Sequence, residues 1–523
     1  MYPGIHAAAH PDRPAAIMAG SGETLTYAAL EDRSARLADA LRSAGLRPGD
    51  TLAMLTENTL RAYEIYWAAR RSGLYVTPVN NHLAASEAAY IVRDCEARAL
   101  FLSPALGELP VRVLAELGAD RPALCVALPA GSGPSVPGCE DYERLLAAAS
   151  PVPPAEQPLG ADLLYSSGTT GRPKGIRIEL PDRQVHEPGD TLVELLRGFY
   201  GFTEDTVYLS PAPIYHAAPL RFAASVQALG GTVVLMERFD AEAALRAIER
   251  HRVTASQWVP TMFVRMLKLP KEVRERYDLS SHRMAVHAAA PCPVEVKQAM
   301  IDWWGPILTE YYSSTESIGM TWIDSPTWLR HRGSVGQAIK GVLRVCGEDG
   351  EELPVGETGV VYFENPGRED AGFAYLGDEA KTREATHPAH PNWATNGDIG
   401  RVDEEGFLYL TDRRSFMIIS GGVNIYPQEI EDALALHPAV LDAAVIGVPD
   451  PEMGESVLAV IQPEGGAEEA RKSGLEEELG RYLRERIAHY KVPRRIDFTD
   501  ELPRTPTGKL VKRILKQRYA EAS

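Results

Sequence analysis

The chain reads as an α/β protein, with a large N-terminal domain of βαβ sheets plus a small barrel and a smaller α+β C-terminal domain. Three observations predict this. Apolar strand runs alternate with amphipathic helical stretches through the first 150 residues, a rhythm that builds a mostly parallel sheet with helices on its faces. From Gly333 to Leu410 short strands lie between Gly/Asp/Glu turns, the texture of a small antiparallel sheet or barrel. From about Ile425 a separate α+β pattern begins.

The elements follow in order. Leu25 to Ala44 carries apolar residues at helical spacing and stops at the breakers Gly45 and Pro48. Thr51 to Thr56 is a short apolar strand, Leu60 to Ser72 a helix and Leu74 to Val79 a strand. Ser86 to Arg93 is a helix and Ala99 to Ser103 a strand. The Pro-rich PVPPAEQP at 151–158 is a connector, and a second α/β run extends from Asp162 to about Gly319. Strands are expected at Gly359 to Phe363 and Phe407 to Leu410, with 364–392 read as loop. The C-terminal pattern is helix Pro427 to Leu436, strands Ala443 to Gly447 and Val457 to Ile461, and helix Gly474 to Ile487.

At 523 residues the chain exceeds what one hydrophobic core organises, so more than one domain is expected. Its net charge of −18 argues against a dedicated binder of nucleic acid or anionic membrane and reads as solubility. The start, MYPGIHAAAHPDRPAAIMAG, has Pro and charge where a secretory signal needs an apolar core, and no uncharged apolar run is long enough to span a bilayer. The cysteines Cys95, Cys125, Cys139, Cys292 and Cys346 are odd in number and lack CxxC spacing, which fits reduced thiols in a cytoplasm. Cys292, in APCP, reads as packing filler.

The most informative segment is 162–175, DLLYSSGTTGRPKG. An apolar strand enters a loop whose residues 166–175 hold three glycines, four hydroxyls and Lys174. Glycines let backbone N–H groups approach phosphate oxygens, hydroxyls add donors, and the lysine supplies charge. Ser166, Ser167, Gly168, Thr169, Thr170 and Lys174 are therefore the candidate phosphate cradle. No Gly-Lys-Ser/Thr closes the loop, so it is not a Walker A motif.

YSSGTTGRPKG resembles the signature of the adenylate-forming superfamily of acyl-CoA synthetases, peptide-synthetase adenylation domains and luciferases. The resemblance runs from ETLTYAALEDRSARLADAL at 23–41 to PRTPTGKLVKRIL at 503–515. It is most similar to actinobacterial fatty-acyl-CoA synthetase-like proteins, through YLSPAPIYHAAPL, WVPTMFVRMLKLP, HAAAPCPVEVK and IISGGVNIYPQEIE. It implies that ATP and Mg²⁺ activate a carboxylic acid as its acyl-adenylate, with coenzyme A as acceptor.

Further residues complete the expected site. In EYYSSTES, Glu316 is a carboxylate suited to Mg²⁺ when phosphate and water fill the other positions; the resemblance assigns it the metal, gives Thr315 the α-phosphate and stacks Tyr312 on adenine. Asp398 in TNGDIG suits ribose hydroxyls, with Arg413 in TDRRS helping and adenine lying against Ala288 to Ala290, Ala289 included. His287 either pairs with that loop or packs. His216 in PIYHAAPL is the titratable candidate near the acid. Tyr215, His216, Trp258, Phe263, Ala288 and Met320 are expected to line the acyl pocket. Lys509, presented by a Pro-Thr-Gly turn, is implied to reach the α-phosphate and acyl carboxylate, whereas Lys512 and Lys516 on the following helix read as a solvated face.

The resemblance also implies a mobile C-terminal domain, rotating between half-reactions to bring Gly421 and Gly422 beside the adenylate as an acceptor tunnel. The resemblance implies a division into 1–411, a hinge at 412–416 with Ser415 at the hinge position, and 417–523. Close relatives usually carry Asp where this chain has Phe416. Two rivals stay open: an amide synthetase passing the acyl group to an amine, and a non-catalytic protein that keeps the fold. The acid is not named by the sequence.

Overall fold

Helix Tyr27–Ser43 starts where the Thr26 hydroxyl accepts the amide of Ala29 at 3.2 Å and ends at Ser43, where the chain enters the Ala44–Gly45 turn. Its buried face, Tyr27, Leu30, Leu37 and Leu41, follows the helical period. The strand Thr24–Thr26 takes the first residues that the sequence pattern assigns to this helix. The computed structural model describes the chain apart from residues 130–135, 167–172, 414–415, 422, 505–509 and 521–523. The described residues form two compact units.

The first unit comprises Met1–Trp258, Leu269–Val286 and Phe373–Glu379. One of its sheets has the order Glu140–Asp141, Leu124–Ala127, Ala97–Leu102, Thr51–Leu55, Tyr75–Pro78, Ala161–Asp162, with every pair parallel. The central strand Thr51–Leu55 is buried along its whole length, which is why it reads as a continuous apolar run. Another sheet places Ala255–Trp258, Val207–Ser210, Thr232–Leu235 and Pro14–Met18 in parallel, with Thr24–Thr26 antiparallel at the edge. Leu164–Ser166 pairs antiparallel with Lys174–Arg177, and Ala374–Tyr375 extends this small sheet.

That third strand corrects the reading of 364–392 as loop, because the segment also holds the helix Glu379–Glu384. A two-residue strand has no periodicity to read. Its pairing comes from a partner two hundred positions earlier, as in Ile176 with Tyr375.

The second unit comprises Val259–Lys268, His287–Gly372 and Ala380–Ser523. Leu308–Ser313, Met320–Asp324 and Gln337–Lys340 are successive antiparallel neighbours. A five-stranded antiparallel sheet runs Val342–Cys346, Gly359–Glu364, Asp398–Val402, Leu408–Arg413, with Trp393–Ala394 paired to Gly359–Glu364. Near the C-terminus, Val440–Asp450 and Gly454–Pro463 form a long hairpin buried on both faces. Alternate residues face opposite ways, as the pleat requires: Val445, Val457 and Ala459 pack with Ile430 and Leu479, while Ala444, Ile446 and Leu458 pack with Leu515 and Tyr519. Among the described residues, no helix is long and apolar enough to cross a membrane.

Candidate active site

In the first unit, Lys174 opens the strand Lys174–Arg177, in antiparallel register opposite Ser166. Ser167, Gly168, Thr169 and Thr170 lie outside the described residues. The Lys174 ammonium donates to Asp378 Oδ2 at 2.5 Å and stands 5.5 Å from the Tyr375 ring. Both partners come from the short strand and turn that the sequence reading left as loop. The lysine is thus held beside its strand by a carboxylate and an aromatic face.

In the second unit, Tyr312, Asp398 and Arg413 form one cluster. Asp398 and Arg413 are cross-strand partners, and Arg413 Nε lies 3.0 Å from Asp398 Oδ1. Tyr312, on the strand Leu308–Ser313, donates its hydroxyl to Asp398 Oδ2 at 2.5 Å. Burial, reinforced by Asp398, pushes the Tyr312 phenol well above its usual range, so it stays a donor at neutral pH. Burial opposes the charge of Arg413, but Asp398, Tyr312 and Glu316 outweigh it and hold the guanidinium protonated. One face of the Tyr312 ring stacks on Phe363, with centroids 6.0 Å apart at 27°.

Thr315 and Glu316 occupy the turn after this strand, closed by the Ser317 amide on the Ser314 carbonyl at 3.1 Å. Among the described residues no three His, Cys, Asp or Glu side chains gather as a metal cage. A turn carboxylate such as Glu316 fits Mg²⁺ carried on a nucleotide, since that ion keeps water and phosphate oxygens as most of its ligands.

Beneath this region lies a buried charge cluster that the sequence reading missed. Lys297, on the helix Val294–Trp304, and Glu310 are 0% and 5% exposed, with Nζ 2.6 Å from Oε2. The ammonium also lies 4.9 Å from the Trp328 ring. His287 Nε2 is 3.7 Å from the same Glu310 oxygen, and burial with the nearby Lys297 charge drives its pKa well down, so the imidazole packs as a neutral ring. No local sequence signal links Lys297 to Glu310. A lysine on a helix ordinarily reads as surface.

After His287 the chain turns through Ala288, which is buried, and Ala289, which adopts φ +75. That left-handed conformation costs a non-glycine residue about 1–3 kcal/mol. Cys292 has its thiol pushed well up by burial, which agrees with packing and not with a nucleophile.

The expected acyl-pocket residues divide between the units. Tyr215, His216 and Trp258 belong to the first, and Phe263, Ala288 and Met320 to the second. The Tyr215 and His216 rings are 4.5 Å apart, and His216 is the N-cap residue of the helix Ala217–Ala228. Trp258 is fully buried, its indole N–H on Ser256 Oγ at 2.5 Å. Phe263 is fully buried against His287, with centroids 5.5 Å apart. Met320 opens the strand Met320–Asp324.

Gly421 has φ +58, a left-handed conformation that favours glycine, and a Cβ there would meet only the end of the flexible Met453 side chain. Gly422, Ser415 and Lys509 lie outside the described residues. One expectation is overturned: Lys512 is not on a solvated face. It is 4% exposed, with its ammonium 2.8 Å from Glu431 Oε1. The spacing Lys512, Leu515, Tyr519 puts it on the helix face that packs on the sheet.

Residues 5–368 match the AMP-binding enzyme family and residues 429–509 the AMP-binding enzyme C-terminal domain. A feruloyl-CoA synthase from Amycolatopsis sp. is 36% identical over 505 residues, covering 95% of this chain and 94% of its own. ATP-bound MatB from Rhodopseudomonas palustris superposes with a TM-score of 0.80 at 28% identity, covering all of both chains. The amide bond synthetase McbA from Marinactinospora thermotolerans superposes with a TM-score of 0.79 at 26% identity, covering 99% of this chain and all of its own.

Proposed function

The chain belongs to the AMP-binding enzyme family, and from that membership we propose that it is an AMP-forming acid–thiol ligase with coenzyme A as its acceptor. In the first half-reaction a carboxylate oxygen attacks the α-phosphorus of ATP, the bond to the β-phosphate oxygen breaks, and pyrophosphate leaves. In the second, the thiol sulfur attacks the acyl carbon, AMP leaves, and the thiol proton passes to solvent.

The observation that carries this reading is the cluster of Tyr312, Asp398 and Arg413 with Glu316 beside it. A carboxylate held between a phenol and a guanidinium is a fixed, ionised acceptor suited to a ribose diol. In this reading Ser166 to Thr170 and Lys174 cradle the phosphates, Thr315 contacts the α-phosphate, and Ala288 and Ala289 border adenine. Glu316 would hold Mg²⁺, which when bound neutralises phosphate charge. His216 would meet the acid. Lys509 would balance charge as pyrophosphate leaves, so catalysis is mainly positioning and charge stabilisation.

The reading takes 1–411 and 417–523 as domains that rotate about a hinge at 412–416, with Gly421 and Gly422 flanking the pantetheine arm. ATP and coenzyme A as substrates, together with free cysteines, fit the cytoplasm.

The feruloyl-CoA synthase similarity over nearly the whole chain favours coenzyme A, while Phe416 and the likeness to an amide bond synthetase keep the amine reading in view. The acceptors differ physically. A thiol of pKa ~8.5 is partly ionised near neutrality, whereas an alkyl amine must first lose a proton. The test is a competition at neutral pH with one good acid, ATP, Mg²⁺, coenzyme A and a panel of amines, read by mass spectrometry. Thioester is the expected main product. Amide as main product, with none from thioester plus amine alone, would replace the acceptor and leave adenylation standing.

A further inference from the structure

Two of the five cysteines lie side by side at one edge of the parallel sheet in the first unit. Cys125 is on the strand Leu124–Ala127, and Cys139 stands immediately before the edge strand Glu140–Asp141. The parallel register sets Val126 against Glu140 and Ala127 against Asp141, so Cys125 and Cys139, one residue earlier on each segment, are cross-strand neighbours. Neighbouring strands stand about 4.8 Å apart, inside the Cα separation of roughly 4.4–6.8 Å that a disulfide spans. The two side chains also share a face of the sheet. Both pack, with Ala127, on the apolar cluster that holds Leu102, Val113 and Leu117. Both thiols are free and partly exposed.

Their surroundings make the two thiols unequal. The Cys139 thiol stabilises the Cys125 thiolate and so lowers Cys125 from its ordinary value; burial opposes this, and the Arg121 charge adds to it. The same contact, followed by burial, raises the Cys139 thiol. Arg121 is fixed beside the pair. Its Nε donates to the Leu114 carbonyl at 2.9 Å, and a Cβ at Gly138, next to Cys139, would lie 3.6 Å from its Nη1. Burial raises the remaining thiols, Cys95, Cys292 and Cys346. Cys125 is therefore the cysteine readiest to ionise, with a second thiol in reach to resolve what forms on it.

We infer that Cys125 and Cys139 are an oxidative modification site, a dithiol that a peroxide converts to a disulfide and a thiol reductant reopens. The Cys125 thiolate attacks one peroxide oxygen, the O–O bond breaks, and hydroxide leaves and takes up the released proton as water. Cys125 is then a sulfenic acid. The Cys139 sulfur attacks the Cys125 sulfur, the S–S bond forms, the S–O bond breaks, and hydroxide leaves as water with the Cys139 proton. The thiols have lost two electrons and two protons, and hydrogen peroxide has become two waters. The bond staples the edge strand Glu140–Asp141 to its neighbour. That edge is opposite Ala161–Asp162, the strand that precedes the Lys174 segment, so the bond acts on stability and leaves adenylation unchanged.

The test treats the purified full chain with hydrogen peroxide, blocks the remaining thiols with N-ethylmaleimide, and maps unreduced peptides by mass spectrometry. Expected are a Cys125–Cys139 cross-linked peptide, the loss of two free thiols, their return with dithiothreitol, and a Tm about 5 °C above that of the reduced protein. Pyrophosphate release should be the same in both forms. In Cys139→Ser the oxidation should stop at a Cys125 sulfenic acid that dimedone traps. In Cys125→Ser no thiol should be lost at the peroxide dose that cross-links the parent. A cross-link between other cysteines or between two chains would overturn the inference. So would Cys125 oxidised past the sulfenic acid in the parent without a cross-link, an unchanged Tm in the cross-linked protein, or adenylation lost on cross-linking. The peptide map and Tm of the parent carry the test alone should either serine variant fail to fold.

Discussion

Lys174 and Asp378 meet at 2.5 Å, with their side chains 21% and 36% exposed. A pair this open contributes up to about 1 kcal/mol, and under the proposed role of Lys174 an ATP phosphate has to break it. Asp378→Asn should therefore lower KM for ATP by up to about 5-fold, the factor that energy represents, with kcat little changed. Lys174→Met should raise it. Steady-state pyrophosphate release against ATP concentration separates the two. A higher KM in Asp378→Asn would mean that the carboxylate helps bind nucleotide and does not compete with it.

At the scale of elements, Lys297 on its helix and Glu310 on its strand tie together the segments that carry Ala288–Ala290 and Tyr312. Neither side is free to be altered alone. Lys297→Met leaves a buried carboxylate uncompensated and should cost about 3–5 kcal/mol in denaturant unfolding, whereas Lys297→Met with Glu310→Leu should recover most of it. A double variant no better than the single would show that the pair contributes shape and not charge balance.

The helix Pro427–Ala435 makes a second electrostatic prediction. Asp432 has its carboxyl raised to about 7, chiefly by burial and further by Glu431, Glu295 and Asp412, against the Gln428 amide that donates to it at 2.7 Å. The folded state then holds a proton that the unfolded state has released. Stability falls as pH rises from about 4, where the unfolded carboxyl ionises, to about 7, where the folded one does. Asp432→Asn removes that loss. Its Tm should exceed the parent's at pH 8, with the gain shrinking on acidification and vanishing below about pH 4. A Tm difference independent of pH would contradict the assignment.

Over the whole molecule, legibility followed the range of the interaction. Thr51–Leu55 and the central parts of the two C-terminal strands, Ala443 to Gly447 and Val457 to Ile461, were readable because a buried strand announces itself in its own residues, whereas their pairing as the hairpin Val440–Asp450 with Gly454–Pro463 was not. The Asp398–Arg413 pair was legible through motifs, and cross-strand register then supplied the contact. Asp378 beside Lys174 was not legible, because the partners are 204 positions apart and the strand that brings Asp378 there, Ala374–Tyr375, is two residues long. Lys512 was misread as solvated because its buried partner, Glu431, lies on another helix, although Leu515 and Tyr519 at helical spacing marked that face as inward.

The central claim is that the acid's own oxygen attacks the α-phosphorus of ATP. The measurement that bears on it most directly uses a carboxylic acid labelled with ¹⁸O in both carboxyl oxygens, ATP, Mg²⁺ and coenzyme A. Mass spectrometry then follows the label in the nucleotide and in phosphate. The expected products are AMP carrying one labelled oxygen, unlabelled pyrophosphate and a thioester retaining the other label. Unlabelled AMP, or label in inorganic phosphate with ADP as the nucleotide product, would contradict it.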